Sequence, residues 1–388
     1  MQQIDELMSH IARRRPAELQ NLRAAGKKVI GFPPGAFMPE ELIYAAGAVP
    51  VCLFHGGDPE AVAASSAFLP HYIDTFCRSQ IGYWSLGEDP YYHLVDLFIS
   101  PLTDNNERAI ADCYDFYTGM KVFRFGVPHD NTDRSSLQYY LHGLKQVKSK
   151  LEEFTGTGIS DTRLQEAIRL YNSIRASLRE ISALRRSANI PISGRQFIML
   201  NHASYLLDPI QIDASLKGIL AVLKQEKGHG KSPRLMLIGS TLAFGDYKVL
   251  HLIEETGAEI VIEESLEGLR RYQNDVSARG DPLESLAEAY FSKSLPPAYF
   301  PNSHVSLPHY ERLIEDYRAD GVVWYQLMYR ETFDMQSFSF NRRLKKLGIP
   351  MLKLQSDYDA FETGQFRTRI SAFVEILRNK PAGAGTER

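Results

Sequence analysis

Two rhythms of apolar residues alternate along this chain. Short apolar runs closed by turn residues read as strands: Val29-Ile30-Gly31-Phe32, Val49-Pro50-Val51, then 96–101, 121–128, 234–239, 258–262, 321–327 and 350–354. Between them, apolar residues three and four apart predict helices at 39–47, 59–68, 108–117, 246–256, 282–294, 308–319, 332–347 and 364–378. A strand–helix–strand succession implies parallel pairing with helical crossovers. Between 133 and about 227 the helical rhythm runs alone. Helices are expected there at 135–154, 161–186, 196–207 and 210–225, with Ser160-Asp161 as a cap and Pro209 at a helix start.

The pattern predicts an α/β fold: two doubly wound, mainly parallel α/β domains facing a crevice, with a helical insert between them. Expected boundaries are an N-terminal helix at 1–26, a first α/β domain at 27–132, a helical segment at 133–230, a second α/β domain at 231–380 and a disordered tail at 381–388. The boundary near 230 rests on the Gly- and Pro-punctuated segment 228–233. The stretch around Cys77, and 84–93 after it, shows no clear period and reads as loop.

The unit at 28–53 is the most legible. Pro33-Pro34-Gly35 cannot continue the strand ladder. Pro39 suits the first turn of a helix, and Glu40 and Glu41 sit where a helix N-terminus favours negative charge. Leu42, Ile43 and Ala46 give that helix an inner face, and Gly47 ends it. The turn after Gly31 lies at the carboxyl end of its strand, which is where open α/β sheets bind ligands.

Composition narrows the function classes. At 388 residues and 44% apolar content the chain can bury two or three domain cores. A net charge of −3 without a basic excess argues against a nucleic-acid partner. No 18-residue apolar run suits a membrane span, and the N-terminus lacks a signal-peptide core, so a cytoplasmic protein is expected. The three cysteines, Cys52, Cys77 and Cys113, include no CxxC pair, which argues against a zinc ribbon, a thioredoxin motif and a disulfide framework. Cys52 and Cys113 read as packing residues.

Common catalytic patterns are missing. There is no Ser-His-Asp or Gly-x-Ser-x-Gly arrangement. Gly239-Ser240-Thr241 reads first as a plain strand–helix turn, and as a phosphate loop only second. Asp281-Pro282 reads as a helix start, and His71, His129 and His304 have no second histidine at ligand spacing.

The segment PEELIYAAGAVPV at 39–51, preceded by a Gly-bearing strand, resembles the opening of the 2-hydroxyacyl-CoA dehydratase and benzoyl-CoA reductase family. Further matches are Gly280-Asp281-Pro282, Leu286-Ala287, Gly321-Val322-Val323 and Asp357…Gly364-Gln365…Thr368-Arg369…Ala372-Phe373, so the resemblance spans essentially the whole chain. It implies a β-type subunit of an ATP-activated radical enzyme acting on an acyl-CoA. In that family three cysteines per subunit hold a [4Fe–4S] cluster at the cleft, and an ATP-dependent activator injects the electron. The position of the first cysteine is matched by Cys77, in Asp74-Thr75-Phe76-Cys77-Arg78; the second aligns with Asp104 and the third with Arg330.

A cluster of this kind needs thiolates, and arginine has no lone pair to give. The family cluster is therefore expected to be lost or replaced in this chain, with Cys77 the one remaining metal-ligand candidate and the [4Fe–4S] cluster on a paralogous partner subunit. The chain would then be the cluster-poor partner that shapes the acyl-CoA site. One alternative keeps a cluster of unusual ligation on this chain; another is a redeployed α/β enzyme or binding protein acting on another anionic substrate. Arg330, Glu331, Pro34 and Gly35 are the substrate- or anion-binding candidates, and Arg330 is also suited to neutralising Asp104. The sequence names neither the acyl group nor the choice between dehydration and reduction.

Overall fold

Strand β1 (Val29–Phe32) pairs in parallel with β2 (Val49–Cys52) on one side and β3 (Leu97–Leu102) on the other, and β3 pairs with β4 (Val122–Gly126). A second sheet repeats the plan. There β5 (Arg234–Gly239) lies between β6 (Glu259–Glu264) and β7 (Gly321–Leu327), and β7 pairs with β8 (Met351–Ser356). The strand orders are β2-β1-β3-β4 and β6-β5-β7-β8, all parallel, as the alternating rhythm predicts. The structure is a computed structural model that describes residues 2–35, 37–228 and 232–379. The expected tail at 381–388 and residues 229–231 of the expected boundary segment lie outside that range.

Strands β1 and β7 are buried at every position, as parallel strands covered by helices on both faces must be. The edge strands β4 and β8 are only partly buried. In each sheet the winding reverses at the middle pair, β1/β3 and β5/β7, which creates a crevice at the carboxyl ends. The insert consists of helices Arg134–Thr155, Asp161–Leu184, Gly194–Ala203 and Pro209–Leu223. Ser160 caps the second of these through Arg163 N–H, and Pro209 opens the fourth behind its cap, Asp208.

Several expectations are corrected. The N-terminal segment is two helices, Gln2–Arg13 and Arg15–Ala24, with Pro16 in the first turn of the second. Its ring cannot sit inside a continuous helix. The stretch around Cys77 is a helix, Thr75–Leu86, capped by Asp74 and ended by Gly87 at φ 69°. Thr75 to Gly82 are buried on every face, so this helix carries no amphipathic period to read. Pro39 occupies the cap position just before helix Glu40–Ala45, and Glu40 and Glu41 are buried in ion pairs. The predicted helices at 108–117 and 282–294 finish as π-turns, Tyr114–Thr118 and Glu288–Ser292.

The two lobes are stitched by main chain as well as side chains. His55 and Phe244 form a parallel bridge: Phe244 N–H donates to Phe54 O at 2.9 Å, and Gly56 N–H to Phe244 O at 2.9 Å. A Cβ at Gly56 would lie 2.5 Å from Ala243 Cβ and 2.6 Å from Tyr358 Oη, so the approach depends on glycine. Among the described residues no helix is long and apolar enough to cross a membrane.

Candidate functional site

Turns at the carboxyl ends of β1, β3, β6 and β7 converge on one pocket. Pro33, Pro34 and Gly35 come from the first turn, Thr103 and Asp104 from the second, and Leu266 and Arg330 from the other lobe. Water-molecule centres have about 20 Å³ there, room for one or two waters.

Arg330 reaches this place through a tight reversal. After β7 the chain passes Tyr329 at φ 64°, a left-handed conformation that costs a side-chain-bearing residue about 1–2 kcal/mol. Arg330 follows at the cap position of helix Glu331–Lys346 and is 8% exposed. Its Nη1 donates to Asp74 Oδ2 at 3.0 Å and to Asp104 Oδ2 at 3.1 Å. Asp74 is also the cap of the Thr75–Leu86 helix. Cys77 N–H donates to its Oδ1 at 2.9 Å and the Cys77 thiol to its Oδ2 at 3.4 Å. Asp104 caps the next helix, Asn105–Cys113, accepting from Asn106 N–H at 2.9 Å and Glu107 N–H at 3.0 Å. Arg330 therefore links Asp74 to Asp104, and Asp74 in turn holds Cys77; sequence reasoning assigns Asp74 no role in the site.

The electrostatics are those of a buried ion-pair triad. Burial works against the Arg330 charge, but Asp74 and Asp104 outweigh it and hold the guanidinium firmly protonated. Burial raises Asp74, with Arg330 pulling the other way. Burial, then the neighbouring Asp74 charge, pushes the Cys77 thiol well above its ordinary range. Glu107 also lines the pocket; its Oε2 is buried with no partner among the described residues, and burial followed by Asp104 drives its carboxyl well upward. A second contact joins the lobes nearby, where Arg78 and Thr75 both bond Asp357, the latter at 2.5 Å.

This donor set does not fit a [4Fe–4S] cluster. It offers one thiol held protonated, one carboxylate already committed to a helix cap and a cation, and one permanent cation.

A sequence model of the family described as 2-hydroxyglutaryl-CoA dehydratase, D-component, matches residues 36–377. The chain belongs to this family. Similar proteins include the candidate dehydratase subunit YjiM of Escherichia coli, 26% identical over 88% of this chain and 89% of its own length. A benzoyl-CoA reductase subunit from Thauera aromatica is 28% identical over 69% of each chain. The beta subunit of (R)-2-hydroxyglutaryl-CoA dehydratase from Acidaminococcus fermentans is 24% identical over 92% of this chain and 95% of its own.

Of the family-derived candidates in this D-component relative, Pro34, Gly35, Asp104 and Arg330 share the pocket wall, and Cys77 lies behind it against Asp74. Glu331 is exposed at the start of its helix and stands outside the wall. Ser240, of the strand–helix turn, is buried and accepts from Leu327 N–H at 3.0 Å, a structural bond. Cys52 and Cys113 are buried free thiols. Asp281 caps helix Pro282–Ala287 as its sequence predicts. Sequence reasoning misses Asp74, Glu107 and Tyr299, the last of which also lines the pocket. For Asp74 a signal exists, an Asp three residues before Cys77 at a helix cap, but the helix itself carries no period.

Proposed function

We propose that this chain is the cluster-free subunit of a two-subunit acyl-CoA enzyme of the dehydratase or reductase type. In this reading it shapes the acyl-CoA site, a paralogous partner holds the [4Fe–4S] cluster, and an ATP-dependent activator supplies the electron. The observation that carries it is Arg330, fixed between Asp74 and Asp104 at the position where the family has a cysteine. A guanidinium repels iron cations and offers them no lone pair. The names of the relatives, benzoyl-CoA reductase and 2-hydroxyglutaryl-CoA dehydratase, support an acyl-CoA as the substrate class.

What this chain's own residues contribute is shape and dryness. Pro33, Pro34 and Gly35 present backbone and apolar ring to a ligand, and the ion-paired triad closes the back of the crevice against water. Free, buried thiols suit a reducing cytoplasm, where we place the complex.

The test is iron and acid-labile sulfide on the chain purified without oxygen, alone and with a co-encoded partner. Iron in the complex and none on the isolated chain is the expected result. About four iron on the chain alone would overturn the cluster-free assignment. Iron in neither would favour the second reading, an α/β protein handling another anionic substrate.

A further inference from the structure

Helix Glu331–Lys346 carries apolar residues on two faces. Phe333, Phe340 and Leu344 are buried, as the inner face of a helix packed on a sheet requires. Met335 and Phe338, three residues apart on the outer face, are 64% and 67% exposed. A helix face turned to water is normally polar, so two large apolar side chains together there call for cover. The outer face continues into Arg342, Lys345 and Lys346, which are exposed and make no ion pair among the described residues.

The stripe adjoins the crevice and reaches toward the other lobe. Arg330 caps this helix, and Met335 follows five residues later, about 7.5 Å along the axis. Met328, just past β7, is exposed, and the ring of its neighbour Tyr329 lies 6.4 Å from that of His71 on the first lobe, where Tyr72 is exposed as well. Methionine, aromatic and arginine side chains are the ones enriched where proteins meet. Two other exposed apolar groups stand elsewhere. Phe116 and Tyr117 lie about three turns beyond Asp104, and Ile210 and Val222 lie on an insert helix that contributes nothing to the crevice pocket.

We propose that the Met335–Phe338 stripe is the docking face for the cluster-bearing partner subunit. The inference rests on the two-subunit reading above. A partner that delivers an electron to an acyl-CoA in the crevice has to abut the crevice, and this stripe begins within two helical turns of Arg330. The unmatched cations say what the partner presents: an apolar centre against Met335 and Phe338, and carboxylates against Arg342, Lys345 and Lys346.

The experiment titrates the full chain with its co-encoded partner subunit, both purified without oxygen, and reads the affinity by calorimetry. Met335→Glu and Phe338→Glu are expected to weaken the complex at least about thirtyfold each. Arg342→Glu/Lys345→Glu is expected to weaken it about tenfold at low salt, with the difference fading near about 1 M salt. Phe116→Glu is expected to leave it unchanged. All these side chains are exposed, so each isolated variant is expected to melt with the wild type. A complex equally tight in wild type, Met335→Glu and Phe338→Glu would overturn the docking face and leave the two-subunit reading standing. Weakening by Phe116→Glu instead would also overturn it. Self-association of the chain alone, abolished by Met335→Glu and Phe338→Glu, would give the stripe to a second copy. Sedimentation with phosphatidylserine vesicles, abolished by the same variants, would give it to a lipid surface. Either result overturns the proposal. A wild-type chain that forms no complex would sink the two-subunit reading itself.

Discussion

The guanidinium of Arg330, on the second lobe, lies 3.0 Å from the Asp74 carboxylate on the first, and both side chains are almost wholly buried. This pair spans the crevice and holds a fixed positive charge between the two lobes.

Removing one half of such a pair strands the other. Arg330→Ala leaves Asp74 buried without its countercharge, and a loss of about 3–5 kcal/mol is expected. Equilibrium unfolding in urea measures it. A loss below about 1 kcal/mol would mean that Asp74 simply takes up a proton and that the pair contributes little.

Because Cys77, Asp104 and Arg330 converge, the cradle can be rebuilt. The double variant Asp104→Cys/Arg330→Cys is expected to take up about four iron per chain on anaerobic reconstitution with iron and sulfide, where the wild type takes up none. Visible absorption and iron analysis read the result. Failure of a folded double variant to bind iron would show that the three positions do not form the ligand set that the family resemblance implies.

Gly82 sits where the Thr75–Leu86 helix crosses Pro59–Ala64, and an added Cβ would fall 1.7 Å from Ala61 O, a main-chain atom that cannot swing away. Gly82→Ala is expected to cost at least about 3 kcal/mol, at the upper end of overpacking effects, and to disturb Asp74 and Cys77 on the same helix. A thermal melt within a degree or two of wild type would contradict this crossing.

Glu267 supplies a pH dependence. Burial raises its carboxyl from 4.5 to about 8, against hydrogen bonds from Ser265 Oγ and Leu242 N–H. Between those values the folded chain holds one proton more than the unfolded chain, so this group's contribution to stability falls as pH rises, by up to about 1.4 kcal/mol per unit. Glu267→Gln keeps the accepting oxygen and removes the titration. Its stability relative to wild type is expected to grow between about pH 5 and pH 8, read as the difference in denaturation midpoints across that range. An unchanged difference would mean that Glu267 does not carry the slope.

The strands are readable because β1, β5 and β7 are continuous apolar runs between turn residues, and a buried parallel strand has no other way to be written. The Cys77 helix is not readable, since burial on all faces erases the period that marks a helix. Glu40 and Glu41 look like helix-dipole charges in sequence. Their partners Arg271 and Arg175 lie 231 and 134 residues further on, a separation that no local pattern encodes. The meeting of Cys77, Asp104 and Arg330 is legible only through family resemblance, and the carboxylate between them, Asp74, stands in that motif without a role.

The main-chain bridge between His55 and Phe244 limits how a ligand can be admitted. Gln80, on the Thr75–Leu86 helix, donates to His55 O at 2.8 Å, and Asp74 lies six residues earlier, about 9 Å along the helix axis. Lobes riveted at 54–56 and 244 cannot drift apart like the halves of a shell. Any parting turns about that spine, and it has to break the hold of Arg330 on Asp74 and Asp104 and that of Arg78 and Thr75 on Asp357.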